Sequence, residues 1–265
     1  MSTNLAQALG IRSVAPAVIF AILYIPLLPM FLLKLKKRAS KLPVVLLTFC
    51  AIRVAVFIIR AMVTSNSTMG NNTDLLVAEG VLVSIGFFGL LLGAYTLVVD
   101  RLNIYDPAPP NPLSLIRNQR VYRLIALVAV ILGIVANTKS TSPEDEGTGK
   151  ALKIVSTVIF LMLTLLQTFQ TFMLVRVERS GSVSESRSSS FGSKHFSSIL
   201  LLSCMLLIRE VFNTATMTDP LKANSEKFWY PFVALPELIC AGLYAIPGVI
   251  PDLDEVKGTA AFAYV

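Results

Sequence analysis

Six charged side chains lie inside apolar stretches of this chain: Arg53, Arg60, Glu79, Arg209, Glu210 and Glu237. An ionised group at the centre of a membrane helix costs at least ~2.5–3.5 kcal/mol, so such groups are paired, reach water or serve a function. Arg53 and Arg60 are seven residues apart, about two helical turns, so both fall on one face of their helix. At ~1.5 Å rise per residue, Arg53 sits near mid-bilayer and Arg60 within roughly 5–6 Å of the outer end. Glu79, entering on the next apolar run, reaches nearly the depth of Arg60. Consecutive antiparallel helices are usually neighbours, so Arg60–Glu79 is the expected ion pair. Glu237 lies at a depth comparable to Arg53 and Arg209. Arg209 and Glu210 are adjacent and point ~100° apart, so one is expected to meet Glu237 and the other a basic residue of the second helix. Three readings stay open: a latch that fixes helix rotation, a polar cavity open to the outer leaflet that binds a ligand, and snorkelling of Arg60 to the surface.

The elements that must carry these residues are seven hydrophobic runs, at about 14–33, 43–63, 75–98, 121–137, 151–175, 197–217 and 228–250. A membrane-spanning helix needs ~20 mainly apolar residues. The alternating pattern of a barrel is absent, so helices are the remaining way to close the backbone hydrogen bonds in lipid. Composition agrees. The chain has 265 residues, 54% hydrophobic and only 15% charged, with mean hydropathy +0.70, whereas soluble domains carry about 25% charged residues. The expected fold is all-α, a single bundle of seven transmembrane helices. The first run is too long for a signal peptide and is followed by Lys34, Lys36, Lys37 and Arg38, so it is expected to be retained.

The basic residues sit between the runs. The first, third and fifth loops hold Lys34 to Lys41, then Arg101, Arg117 and Arg120, then Arg176, Arg179, Arg187 and Lys194. The positive-inside rule puts these loops in the cytoplasm, with the N-terminus out and the C-terminus in. The second loop has no basic residue and carries two N-x-[ST] sequons, at Asn66 and Asn71, which are glycosylated only on the outer side. Trp229 and Tyr230 are expected in the outer aromatic belt. The cytoplasmic stretch 177–196 is Ser-rich, and Ser188, Ser189 and Ser190 are candidate phosphorylation sites whose added charge would change its attraction to anionic lipid.

Pro231, Pro236 and Pro247 should kink the last helix, and Pro26 and Pro29 should bend the first. Gly86, Gly89 and Gly93 allow close helix approach, more readily inside the bundle than in a dimer. The formal charge of +7 reflects these loops rather than a nucleic-acid surface. His195 is the only histidine, which removes multi-histidine zinc and bis-histidine haem sites. The three cysteines, Cys50, Cys204 and Cys240, all lie in apolar runs and offer no loop disulfide. No catalytic residue, metal or cofactor is indicated, and no enzymatic chemistry is expected. The expected partners are membrane lipids and a lipid-like or small-molecule ligand, in a plasma membrane or endomembrane.

The segments TFCAIRVAVFIIRA, AEGVLVSIGFFGLLLGAYTL, YRLIALVAVILGIVANT, LLIREVFNTAT and FWYPFVALPELICAGLYAIPG resemble an uncharacterised family of fungal seven-helix membrane proteins, classed as a domain of unknown function. More remotely the chain resembles the fungal lipid-translocating exporters and the fungal receptor-like seven-helix proteins. The resemblance implies one membrane domain, with lipid handling linked to sterol and sphingoid-base resistance or receptor-like sensing. The alternative is a structural scaffold whose charges only lock helix packing.

Overall fold

An apolar run of membrane length can satisfy its backbone in lipid as a helix, and the residues that the computed structural model describes form helices joined by short turns. Those are residues 5–37, 41–105, 117–139, 146–179 and 192–249. Ser188, Ser189, Ser190, Glu144 and Asp145 lie outside them. Among the described residues there is no strand, and seven helices are long and apolar enough to cross a membrane. These spans are Val14–Lys36, Leu42–Ser65, Thr73–Asn103, Gln119–Lys139, Gly147–Val177, Ser197–Thr216 and Glu226–Ala245. The chain is therefore a multi-pass membrane protein.

Each span packs on the next, and the seventh returns to the first. The third also touches the fifth, sixth and seventh, which puts it at the centre of the bundle. Its inner half is apolar on all sides for that reason, with Phe87, Leu90, Leu91, Ala94, Tyr95 and Val98 buried. Lipid offers little hydrophobic drive between helices, so small residues and internal hydrogen bonds hold the bundle. A Cβ on Gly93 would stand 3.0 Å from Leu42 Cδ1 and 3.4 Å from Tyr244 Oη, and one on Gly89 would stand 3.3 Å from Val45 Cγ1. The glycine stripe is thus used inside the bundle, against the second and seventh spans.

Polarity runs opposite to a soluble protein. In the fifth span Gln167 and Thr171 are 0% exposed while Met162 is 64% exposed and Phe172 60%. Gln167 Nε2 donates to Ser203 Oγ of the sixth span at 2.9 Å, and the Thr171 and Ser203 hydroxyls are 2.8 Å apart. Ser156 Oγ donates to the Ala129 carbonyl at 2.7 Å, joining the fourth and fifth spans.

Prolines interrupt the first and last spans. Helix Val14–Tyr24 gives way at Ile25–Pro26 and resumes as Leu27–Lys37, and the Leu28 N–H donates to the Ile25 carbonyl that Pro29 cannot reach. The last span runs as Glu226–Trp229, a π-helical turn Tyr230–Ala234, and Leu235–Ala245. It stops at Ala245 rather than near Ile250. Pro247 disfavours the helical conformation for the residue before it, and Ile246 is extended at φ −61° and ψ 132°. The helical ends around the fifth loop also differ from the sequence reading. Helix Glu146–Arg179 reaches Arg179, and the next begins at Gly192.

The two ends of the bundle are closed differently. At the sequon end, Glu226 Oε1 accepts from the backbone N–H of Arg12 at 2.6 Å and of Ser13 at 2.5 Å, and Asn71 Oδ1 accepts from Leu5 N at 2.8 Å. Asp219 caps helix Pro220–Asn224, and its bond from the Lys222 N–H holds this exposed carboxyl below its ordinary pKa. At the opposite end, Lys34 Nζ donates to the Tyr244 carbonyl at 2.8 Å. Arg101 Nη2 donates to the carbonyls of Gly248 and Val249 at 3.2 and 3.0 Å. These cations satisfy carbonyls that the end of the last helix leaves open.

Gly93→Leu is expected to force the second and seventh spans apart and to destabilise the bundle by roughly 1–3 kcal/mol. Thermal unfolding in detergent reads this directly, and an unchanged midpoint would contradict the close approach at Gly93.

Candidate functional site

The six intramembrane charges are all buried. Arg53 and Glu210 are 0% exposed, and Glu79, the most exposed of the six, is 5%. Arg53 projects from the second span, Arg209 and Glu210 from the sixth, and Glu237 from the helical segment just after the π turn of the seventh. Glu237 is the hub. Its Oε1 accepts from Arg53 Nη2 and, at 3.2 Å, from Arg209 Nε. Arg209 Nη1 then donates to Glu210 Oε2 at 2.6 Å. Arg53 Nη2 also donates to the Val83 carbonyl of the third span at 3.3 Å. Two arginines and two glutamates therefore form one neutral network that ties the second, third, sixth and seventh spans together.

Arg60 and Glu79 form a separate neutral pair between the second and third spans. Arg60 Nε lies 2.6 Å from Glu79 Oε1, without the N–H aimed at the oxygen, so the contact is ionic rather than an aligned hydrogen bond. The guanidinium is held from the other side by aromatic rings. Its Cζ stands 3.5 Å from the centroid of Trp229 and 5.8 Å from that of Tyr230. Arg209 Cζ stands 3.7 Å from the Phe87 ring in the same manner. A ring face attracts a cation through its quadrupole, more strongly where water is excluded.

The expected Arg60–Glu79 pair is present, and Glu237 meets both Arg53 and Arg209. Two expectations need correction. Glu210 does not turn to the second span, because the Arg209 side chain folds back onto it and closes the pair within the sixth span. Trp229 and Tyr230 do not face lipid, because both rings turn inward against the Arg60 guanidinium, where they are buried. The rings over the guanidinium groups were not legible as such. An arginine and an aromatic residue on different helices carry no mutual spacing signal.

The network keeps unused hydrogen-bonding capacity. Arg53 Nε and Nη1, Glu237 Oε2 and the Tyr24 hydroxyl are buried without a hydrogen bond. The Tyr24 ring packs on Phe49 and Phe57 and lies within the field of Glu237 and Arg53. Buried polar atoms normally find partners, and each one left unmade is worth ~1–3 kcal/mol. The site thus offers donors and an acceptor side by side in a charge-neutral setting. No group of metal-binding residues occurs among the described residues. Asn66 and Asn71 are exposed around the short helix Ser67–Gly70 at the sequon end.

A family model described as "Domain of unknown function (DUF7702)" matches residues 15–219. The match covers the first six spans and five of the six charges, and Glu237 lies beyond it. No curated protein and no solved structure matches the chain.

Removing one partner of a buried ion pair leaves the other charge uncompensated, at a loss of about 3–5 kcal/mol. Glu237→Ala leaves the Arg53 guanidinium without a carboxylate and Arg209 with Glu210 alone, and is expected to fall in that range, measured by unfolding in detergent. Adding Arg53→Met to the same chain should recover part of the loss, since Arg209 and Glu210 then remain as a neutral pair. A cost below about 1 kcal/mol for Glu237→Ala would rule out the hub. Trp229→Leu is expected to cost about 1–2 kcal/mol through its contact with Arg60.

Proposed function

The chain belongs to the DUF7702 family, and we propose that it is a non-enzymatic membrane protein that recognises an amphipathic, lipid-like ligand at its buried charge network, either as a receptor-like sensor or as a lipid handler. The observation that carries this reading is the set of unpaired polar atoms beside Glu237: two donor nitrogens of Arg53, Oε2 of Glu237 and the Tyr24 hydroxyl. A neutral or zwitterionic head group suits them, because a net charge would unbalance a network that already sums to zero. The π turn at Tyr230–Ala234 and the flanking Pro231 and Pro236 make the seventh span the element best able to move, and π turns are frequent at functional sites. Its displacement would draw Glu237 away from Arg53 and Arg209, which couples ligand entry to helix position. The remote resemblance to lipid-translocating exporters and receptor-like proteins points the same way.

In this reading the N-terminus and the two sequons face outside, in a plasma membrane or endomembrane, and the basic ends face the cytoplasm. The exposure of Asn66 and Asn71 at one end supports that orientation. The second reading is a structural lock. It draws on the closure of all six charges into neutral sets.

Lipid flip in proteoliposomes and ligand-induced thermal shift, compared between wild type, Glu237→Gln and Arg209→Gln, separate the two. Ligand recognition predicts that the amide variants lose roughly tenfold or more in response, the worth of one charge-assisted hydrogen bond. Lowered stability with an unchanged response would establish the lock instead. Expression in a eukaryotic host should yield a glycan that disappears in the Asn66→Gln, Asn71→Gln double variant, and an unglycosylated wild type with its sequon loop in the cytosol would reverse the orientation.

A further inference from the structure

We infer that the cleft between the third and fourth spans is a binding site for a phospholipid with a net-negative head group. The cleft is about 450 Å³ and open along its side. It is lined by Phe88 and Leu92 of the third span and by Arg120, Arg123, Leu124 and Leu127 of the fourth. That volume falls within the roughly 300–1,000 Å³ usual for small-molecule sites.

The fourth-span residues recur at i, i+3, i+4 and i+7, one face of a helix, and Phe88 and Leu92 at i and i+4 form the facing wall. The face is divided along its length. Arg120 and Arg123 occupy the first turn of the span that begins at Gln119, whereas Leu127 lies ~10 Å deeper along the axis. The cleft lining is almost wholly apolar, so the two arginines wall it with their aliphatic stems, and their charges stand exposed at the end of the span. Cations beside an apolar slot match a phospholipid, anionic at one end and hydrocarbon at the other. Leu124 and Leu127 are exposed in this slot, at 63% and 45%, which suits an acyl chain lying against them.

The charge at the mouth is available. Neither Arg120 nor Arg123 forms an ion pair with another described residue. Arg123 Nη2 donates to the Gln119 side-chain oxygen at 3.5 Å, and its charge also acts on the Asp100 carboxylate. The nearby Asp100 carboxylate already accepts from Gln119 Nε2 at 2.7 Å. Two cations against one engaged carboxylate leave the mouth net positive. A guanidinium is suited to phosphate through its fork of donors. The site lies on the same end of the bundle as Lys34 and Arg101, which is the cytoplasmic side if the proposed orientation holds, and anionic lipid is concentrated in that leaflet. Binding itself does not depend on the orientation, nor on the network around Glu237.

The test uses the purified full chain in detergent, with retained phosphatidylserine and phosphatidylcholine of identical acyl chains counted by native mass spectrometry. Wild type is expected to retain phosphatidylserine in preference. The Arg120→Gln, Arg123→Gln double variant should lose that preference by about tenfold or more, and the Arg120→Lys, Arg123→Lys variant should keep most of it. Leu127→Trp fills the slot without altering charge and should reduce retention of both lipids. Unfolding temperatures in lipid-free detergent identify any variant that fails through misfolding, in which case the lysine and tryptophan variants decide. Equal retention of the two lipids by wild type would overturn the site. So would a preference that survives the glutamine variant, or retention of both lipids undiminished in Leu127→Trp, since the last result describes a charged surface without a cleft. Glu237→Gln should leave the preference intact, so failure here and failure of ligand recognition at the network are separate results.

Discussion

The bundle depends on one carboxylate shared between two guanidinium groups. In hydrocarbon an isolated charge is penalised by several kcal/mol even after relaxation, so Arg53, Arg209 and Glu237 are tolerable only together. Glu237 comes from the last span and its partners from the second and sixth. Those three helices can therefore adopt few relative depths and rotations that keep the charges satisfied. The Val83 carbonyl brings the central third span into the same constraint. Non-directional apolar packing between helices in lipid has no comparable power to choose a register.

The rest of the interior follows the same logic at lower stakes. Hydroxyl and amide groups of the fifth and sixth spans face one another while their apolar neighbours face outward. Glycines let the third span approach the second closely enough for Arg53 to reach across. Aromatic rings from the third and seventh spans cover the open faces of Arg209 and Arg60, where no carboxylate remains to serve them. The first and seventh spans, both interrupted by prolines, are the exceptions in this regular framework. The seventh carries the hub, Glu237, in the first turn after its π-helical segment.

The cationic cleft on the lipid face and the neutral interior network place two kinds of polar chemistry at different depths. One faces outward with unpaired positive charge near an end of the bundle. The other is internal, balanced and short of hydrogen-bond partners. A membrane protein built this way can hold an anionic lipid at its rim without disturbing the balance on which its core depends.

The seven spans, their helical nature and the identity of the buried charges are legible in the sequence, because lipid imposes a length and a polarity that any membrane helix must obey. The Arg60–Glu79 pair is legible too, since two adjacent antiparallel helices convert residue number into depth. Sequence also decides where the last helix ends, through Pro247, although that consequence is easily passed over in a continuous apolar run. What only the tertiary structure decided is which groups share a partner. Glu237 meets both arginines, Glu210 is turned back by its own neighbour, and Trp229 lies under a guanidinium instead of at the lipid interface. These choices depend on the rotation of each helix about its axis and on the register of non-consecutive spans. A helix in hydrocarbon carries little record of either, because its apolar faces are nearly equivalent until a specific polar contact selects one.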